Sequence, residues 1–271
     1  MENNNPILYK FSGAGNDFVI IDGRNKDVSR FRAADVIGAL CREYRTDGLM
    51  ILDEGPSGAD FSMEFFNPDG SGGMMCGNGG RCIVAFADMM GIRPSEGISY
   101  RFIAPDGLHI ATILEKNPGK WTVRLKMIDV NGVSQMMGGW FLNTGTRHFV
   151  RFVEEDVDRL DVDRLGRELR HHSAFAPEGT NVNFVQVAAE GLRIRTFEKG
   201  VEGETLACGT GITASAIAAY KEGIKGEEMS PGRLSYALQC HRGDWLQVEF
   251  TPDGDFFSDV FLTGPAETVA I

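Results

Sequence analysis

Cys76-Gly77-Asn78-Gly79-Gly80-Arg81-Cys82-Ile83-Val84-Ala85-Phe86-Ala87 and Cys208-Gly209-Thr210-Gly211-Ile212-Thr213-Ala214-Ser215-Ala216-Ile217-Ala218-Ala219 follow one pattern. Set over each other without a gap, both open Cys-Gly-x-Gly and both carry Ala at the twelfth position, Ala87 and Ala219. Each follows a polar, Gly-rich stretch and opens an Ala-rich apolar run, the pattern of a loop feeding a buried helix. Cys76 and Cys208 are thereby expected at helix N-termini, where backbone N–H groups and the positive end of the dipole favour negative charge. A thiol in that setting tends towards a lowered pKa and towards the thiolate. Two such thiols, one per half of a duplicated chain, are what proton transfer at opposite faces of one carbon requires.

Outward from these stretches, the chain reads as short strands around one helix per half. Strands are expected over 7–11, 18–22, 48–52 and 61–66, with a helix over 31–45 and the first Cys helix over 77–90, stopped by Gly91. Strands 98–104, 107–115 and 121–128 follow. Asp129-Val130-Asn131-Gly132 and Met136-Met137-Gly138-Gly139 read as loop, and the domain boundary falls there. The second half repeats the grammar: strands 140–143 and 148–153, a charged helix over 161–171, strands 183–187 and 192–197, a polar loop 198–205, the second Cys helix over 209–221, and strands 234–240, 245–250 and 256–263. Asn183–Val187 reads as an echo of Asp17–Ile21. The fold expected is α+β: two pseudo-symmetric domains, each a mostly antiparallel curved sheet or barrel wrapped around a central helix. The first is 1–129, joined by the last strand at about 262–271; the second is 130–261. The site is expected between the halves.

Composition narrows the function. The 271 residues suit two domains, and 42% hydrophobic content is enough for packed cores. A formal net charge of −11 argues against nucleic acid and anionic membranes as partners. The five cysteines, 41, 76, 82, 208 and 240, are an odd number without a Cys-x-x-Cys, unlike a secreted disulfide framework. The five histidines lack metal-ligand spacing, so no metal is expected. Met1-Glu2-Asn3-Asn4-Asn5-Pro6 lacks the layout of a signal peptide, and no apolar run approaches a membrane span. A cytoplasmic protein is expected.

The chemistry follows from the two helix termini. N–H groups of Gly77, Asn78, Gly209 and Thr210 would converge on a carboxylate. One thiolate would remove the proton from the adjacent carbon while the opposing thiol delivers one to the other face. Backbone donors would stabilise the charge that develops. The result is inversion of a stereocentre with no cofactor; no Walker A sequence is present and no lysine is marked for a Schiff base.

Six motifs, in order over nearly the whole chain, resemble the diaminopimelate epimerase family. They are Gly13-Ala14-Gly15-Asn16-Asp17-Phe18, Phe66-Asn67-Pro68-Asp69-Gly70-Ser71, Met75 to Cys82, Asn143-Thr144-Gly145 through His148, Asn181-Val182-Asn183-Phe184-Val185-Gln186, and Glu204 to Gly211. The resemblance implies cofactor-independent interconversion of LL- and meso-2,6-diaminopimelate, in lysine and cell-wall precursor synthesis. It implies Cys76 and Cys208 as the acid/base pair and His148 and Glu198 as residues that tune them. Gly77, Asn78, Gly209 and Thr210 match the carboxylate cradle, and Asn16, Asn67 and Asn181 the substrate-binding amides. Glu198 and Thr146 are also expected at the substrate.

Five positions depart from the family pattern. Lys199 stands where Arg often grips the distal carboxylate; it keeps the charge and loses the bidentate fork. Thr146-Arg147-His148 replaces Asn-Pro-His, and Gly48 replaces a binding Gln. Ala270 stands where a dimer-interface Tyr often sits, in a family whose partner is a second copy of itself. The rival readings are a racemase of another amino acid, such as histidine, a proline racemase-like or phenazine isomerase-like enzyme, and, from another class, a non-catalytic amino-acid binder or a thiol redox sensor. Taken singly, a cysteine is more often a buried small hydrophobe and an Asn a turn former; the pairing of the two Cys-Gly-x-Gly stretches is what favours catalysis.

Overall fold

The computed structural model describes residues 6–73 and 75–271. The residues 1–5 of the N-terminal stretch read above lie outside it. The chain separates into two compact units, Met1–Leu125 with Gly264–Ile271, and Lys126–Thr263.

The elements of the first unit are β1 (Leu8–Gly13), β2 (Asn16–Asp22), α1 (Ala34–Tyr44), β3 (Gly48–Glu54), β4 (Phe61–Phe66), α2 (Gly77–Met89), β5 (Ser99–Ala104), β6 (Gly107–Asn117) and β7 (Lys120–Lys126). Those that follow are β8 (Val130–Asn131), β9 (Val133–Met136), β10 (Gly139–Asn143), β11 (Arg147–Phe152), α3 (Val162–Arg170), β12 (Asn181–Ala188), β13 (Gly191–Glu198), β14 (Gly203–Thr205), α4 (Gly209–Lys221), β15 (Glu227–Ser230), β16 (Arg233–Gln239), β17 (Trp245–Asp253) and β18 (Phe256–Val269).

In the first unit the ladder runs β1–β2–β3–β4–β5–β6–β7 and returns through the end of β18 to β1. Only β2–β3 and β4–β5 are parallel. Eight strands close on themselves, which leaves no exposed edge. Helix α2 is buried along Gly77–Asp88, as a helix apolar on every side must be. Its Phe86 packs against the rings of Tyr9 and Phe11. Ala14 (φ 53°) and Gly15 (φ 107°) make the two-residue turn between β1 and β2. A Cβ at Gly13 would lie 2.8 Å from both Asn78 O and Cys82 Sγ, so the absence of a side chain there lets α2 approach.

The second unit is built the same way. Its ladder runs β9–β10–β11–β12–β13–β16–β17 and the first part of β18, then β8. Only Gly132 (φ 82°) separates β8 from β9, so this ladder also closes. The parallel pairs are β11–β12 and β13–β16, matching those of the first unit. In α4, Gly209 and Gly211–Ala219 are buried, and the helix packs against β10, β11, β12, β13, β16 and β17.

Three expectations are corrected. The stretch 129–139 is mostly strand: Val130 and Val133 are buried, and only Gly132 and the Met137-Gly138 turn (φ 53° and 72°) break it. The polar stretch 198–205 contains β14, which pairs with β13, and β15 adds a charged strand to β16. Asn183–Val187 is not the counterpart of Asp17–Ile21. It lies on β12, which pairs parallel with β11 as β3 does with β2, so the counterpart of β2 is Arg147–Phe152. Both stretches are apolar strands opened by a polar residue, and only the pairing tells which precedes the crossover helix. No helix among the described residues is long and apolar enough to cross a membrane.

Candidate active site

Both thiols of the repeated stretches stand at the N-cap, Cys76 of α2 and Cys208 of α4. Cys76 is half-buried and its Sγ accepts from the Gly79 N–H at 3.2 Å. Met75 donates its N–H to Asp106 Oδ1 at 3.1 Å, which ties the approach to Cys76 to the β5–β6 turn. Asn78 is buried beneath it. Arg81, a fully buried side chain, donates to Asn78 Oδ1 at 2.8 Å, to Gly77 O at 3.2 Å and to Pro265 O at 3.2 Å. A guanidinium only donates, so Asn78 must turn its oxygen to Arg81 and its Nδ2 to Asn16 Oδ1, 2.6 Å away. Asn16 therefore directs its own amide nitrogen away from Asn78. Asn67 belongs to the turn after β4, where its Nδ2 donates to Ser71 Oγ at 3.0 Å.

Around Cys208 the second unit gathers most of the expected residues. Cys208 Sγ lies 3.4 Å from Thr210 Oγ1. Thr210 Oγ1 is 2.9 Å from His148 Nε2 and 3.2 Å from Thr146 Oγ1, and Thr146 Oγ1 is 2.9 Å from the same ring nitrogen. Asn181 donates its Nδ2 to Arg147 O (3.0 Å) and Thr146 Oγ1 (3.2 Å), and its Oδ1 accepts the Lys199 N–H (2.8 Å). It is a brace between two loops. The Lys199 side chain is exposed, whereas Arg147 pairs with Glu178 at 2.7 Å. Thr144 Oγ1 donates to Thr210 O at 2.9 Å and Thr213 Oγ1 to Gly209 O at 2.9 Å, which hold the first turn of α4.

The charge states differ from the simple expectation. The Cys208 thiol is pushed up, not down: burial is the largest cause, and Glu198 adds its negative charge and a hydrogen bond. Thr210 and the Gly211 N–H pull the other way without winning. The helix N-terminus is outweighed because the sulfur is taken out of water beside a carboxylate. Glu198 Oε1 also accepts from Thr205 Oγ1 at 2.5 Å. His148 is fully buried and its pKa falls to about 3, from desolvation, with the Asn183 hydrogen bond opposing. Burial raises Cys82, Cys41 and Cys240 as well.

Asn183, Thr144 and Thr205 were not among the expected site residues. Asn183 had a signal: two residues from Asn181 on a strand, it shares that residue's face. Thr205 and Thr144 are ordinary strand-end and loop residues until the fold brings them to Glu198 and α4.

The fold is shared with solved structures of low sequence identity. A Bacillus anthracis phenazine biosynthesis protein of the PhzF family superposes with a TM-score of 0.74 at 13% identity, covering 97% of this chain and 96% of that one. A hydroxyproline epimerase from Agrobacterium vitis gives 0.63 at 16% identity, over 97% and 90%. These place the chain among doubled α+β proteins. Sequence goes further. The diaminopimelate epimerase family model matches residues 8–127 and 140–240. The diaminopimelate epimerase of Flavobacterium psychrophilum is 40% identical over 97% of both chains, and that of Aquifex aeolicus 40% identical over 95% of this chain and 93% of its own. The chain belongs to the diaminopimelate epimerase family.

Proposed function

We propose that this chain interconverts LL- and meso-2,6-diaminopimelate by proton transfer between Cys76 and Cys208, without a cofactor, in the cytoplasmic synthesis of lysine and peptidoglycan precursors. The observation that carries the reading is the pair of N-cap cysteines, each on the first turn of a buried helix within one of two like units. An odd number of cysteines without a Cys-x-x-Cys fits a reducing compartment.

Each step is assigned to a group of this chain. Inversion needs a thiolate on one face of the α-carbon and a thiol on the other. Cys208 begins as the thiol, because burial and Glu198 keep its proton on. Cys76, whose Sγ accepts the Gly79 N–H, begins as the base. Cys76 takes the α-proton, Cys208 delivers its own, and the enzyme is left with the charges exchanged. Thr210 and the Gly211 N–H then hold the Cys208 thiolate, ready to run the reverse direction. Resetting for the forward direction returns a proton to Cys208, where burial and Glu198 hold it. The N–H groups of Gly77, Asn78, Gly209 and Thr210 receive the carboxylate next to the reacting carbon, where charge develops. Asn16 and Asn67 supply amide donors to the rest of the substrate, and Lys199 faces the distal carboxylate. Arg147, the cation added where the family often has Pro, is neutralised by Glu178 and so does not redefine the pocket's charge.

The test is reduced protein with LL-diaminopimelate in deuterated water, followed by proton NMR. Deuterium at the α-carbon with appearance of the meso isomer is expected. Exchange into a different amino acid and none into diaminopimelate would keep the two thiols and overturn the substrate.

A further inference from the structure

His148 sits between two amides and two hydroxyls, and the groups that bond its ring are all uncharged. Which ring nitrogen carries the proton is therefore decided by hydrogen-bond geometry alone. The deciding residue is Asn183. Its side chain is fully buried on β12. Its Oδ1 accepts from Thr196 Oγ1 at 3.0 Å. Its Nδ2 donates to Phe149 O at 3.1 Å and faces His148 Nδ1 at 3.0 Å. Phe149 O is a carbonyl and only accepts, so the amide nitrogen must point that way. Turning the amide over would set its oxygen against that carbonyl. The second Nδ2 proton is thus aimed at His148 Nδ1, which must be unprotonated to accept it. The ring proton is on Nε2.

The direction of the remaining bonds follows. Nε2–H is shared between Thr210 Oγ1 and Thr146 Oγ1, each 2.9 Å away, while Asn181 Nδ2, 3.5 Å from the ring, spends its two protons on Arg147 O and Thr146 Oγ1. Thr146 stands 3.2 Å from Thr210 Oγ1 and accepts Asn181 Nδ2, which leaves its own proton for Thr210. Thr210 Oγ1 then accepts twice, and its single proton points to Cys208 Sγ at 3.4 Å. Space enforces the arrangement: a Cβ on Gly211 would stand 2.4 Å from Asn183 Oδ1.

We propose that Asn183 is a positioning residue that fixes His148 in the Nε2–H tautomer and so makes the Thr210 hydroxyl an obligatory donor to Cys208. With the opposite tautomer, Nε2 would accept the Thr210 proton and the sulfur would lose its donor. The catalytic half of the inference rests on the two-thiol reading above; the tautomer does not.

The experiment uses the full chain labelled with ¹⁵N. Long-range ¹H–¹⁵N spectra of the unsubstituted protein are expected to show His148 neutral with its proton on Nε2 from pH 5 to 8. In Asn183→Asp the carboxylate accepts from Nδ1–H, so the tautomer is expected to reverse and the ring to titrate towards neutrality. kcat should fall by roughly 10²-fold, the cost of losing one donor to a developing anion, with KM little changed and both directions affected equally. A proton on Nδ1 in the unsubstituted protein would overturn the inference whether or not the variant folds. A reversed tautomer with kcat intact would overturn its catalytic half. If the unsubstituted protein shows Nε2–H but turns over no diaminopimelate, the functional reading fails and the tautomer assignment stands.

Discussion

Gly211 is glycine because Asn183 and His148 occupy the space a side chain would need. A Cβ there would meet Asn183 Oδ1 at 2.4 Å and His148 Cε1 at 3.3 Å. Gly211→Ala is expected to cost about 1–3 kcal/mol by overpacking, seen as a lower urea midpoint, and to displace the Cys208 turn so that turnover falls with it. An unchanged midpoint would mean the turn has room that the geometry denies. Cys76→Ser and Cys208→Ser are each expected to lower epimerisation by about 10²–10⁴-fold while equilibrium dialysis still detects substrate. Full turnover in either would end the two-thiol reading. The sequence located these thiols but misjudged the charge of one. A helix N-terminus is visible in Cys-Gly-x-Gly, whereas the burial of Cys208 against Glu198, ten residues upstream, is a property of the folded unit.

At the scale of the element, α2 is secured beyond its apolar faces. Its last turn carries Asp88, an acid at the end of the dipole that disfavours it. Trp121 Nε1 donates to it at 2.9 Å, Lys116 pairs with it at 2.5 Å and Arg93 at 3.0 Å. Asp88→Ala leaves the buried indole N–H without its acceptor, and a loss of about 1–3 kcal/mol in chemical denaturation is expected. At the other end Asp106 holds the Met75 N–H. Asp106→Ala is expected to lower kcat by about 10–10²-fold, the loss of one hydrogen bond to a charged acceptor, with a melting temperature close to that of the unsubstituted protein. A matching fall in both would make Asp106 a stability residue instead. Both Cys helices were legible because their apolar runs follow glycine-rich stretches. β8, β9, β14 and β15 were not, since two to four residues carry too little periodicity to register.

For the whole molecule, buried neutral groups shape stability against pH. His148 binds its proton less readily folded, at about 3, than unfolded, near 6.5. Its contribution is present above about 6.5 and is lost as pH falls through that window, because the unfolded chain takes up a proton the native state refuses. The thiols act with the opposite sign. Cys41, Cys82, Cys208 and Cys240 are all raised from 9.0, so the stability they contribute is present below about 9 and is lost as pH rises above it. Melting temperature should therefore fall on both sides. His148→Gln is expected to flatten the acid side between about pH 6.5 and 4.5 relative to the parent. An acid limb of unchanged slope would mean His148 is protonated in the folded chain.

The sequence by itself determined the duplication, the two N-cap thiols and the apolar helices behind them, because these are local: a glycine-rich turn, a cap and a periodic run act within a dozen residues. It also carried the family, through motifs that keep their order along the chain. Only the tertiary structure decided which strands correspond, since Asn183–Val187 and Asp17–Ile21 look alike and pair differently. Only it brought Asn183, His148 and Thr210 into one directed set of bonds, although Asn183 and His148 lie 35 residues apart. Whether a cysteine is held as thiol or thiolate, and which ring nitrogen keeps a proton, depend on desolvation and on donors met across the barrel. Neither quantity exists until the strands have closed around the helix.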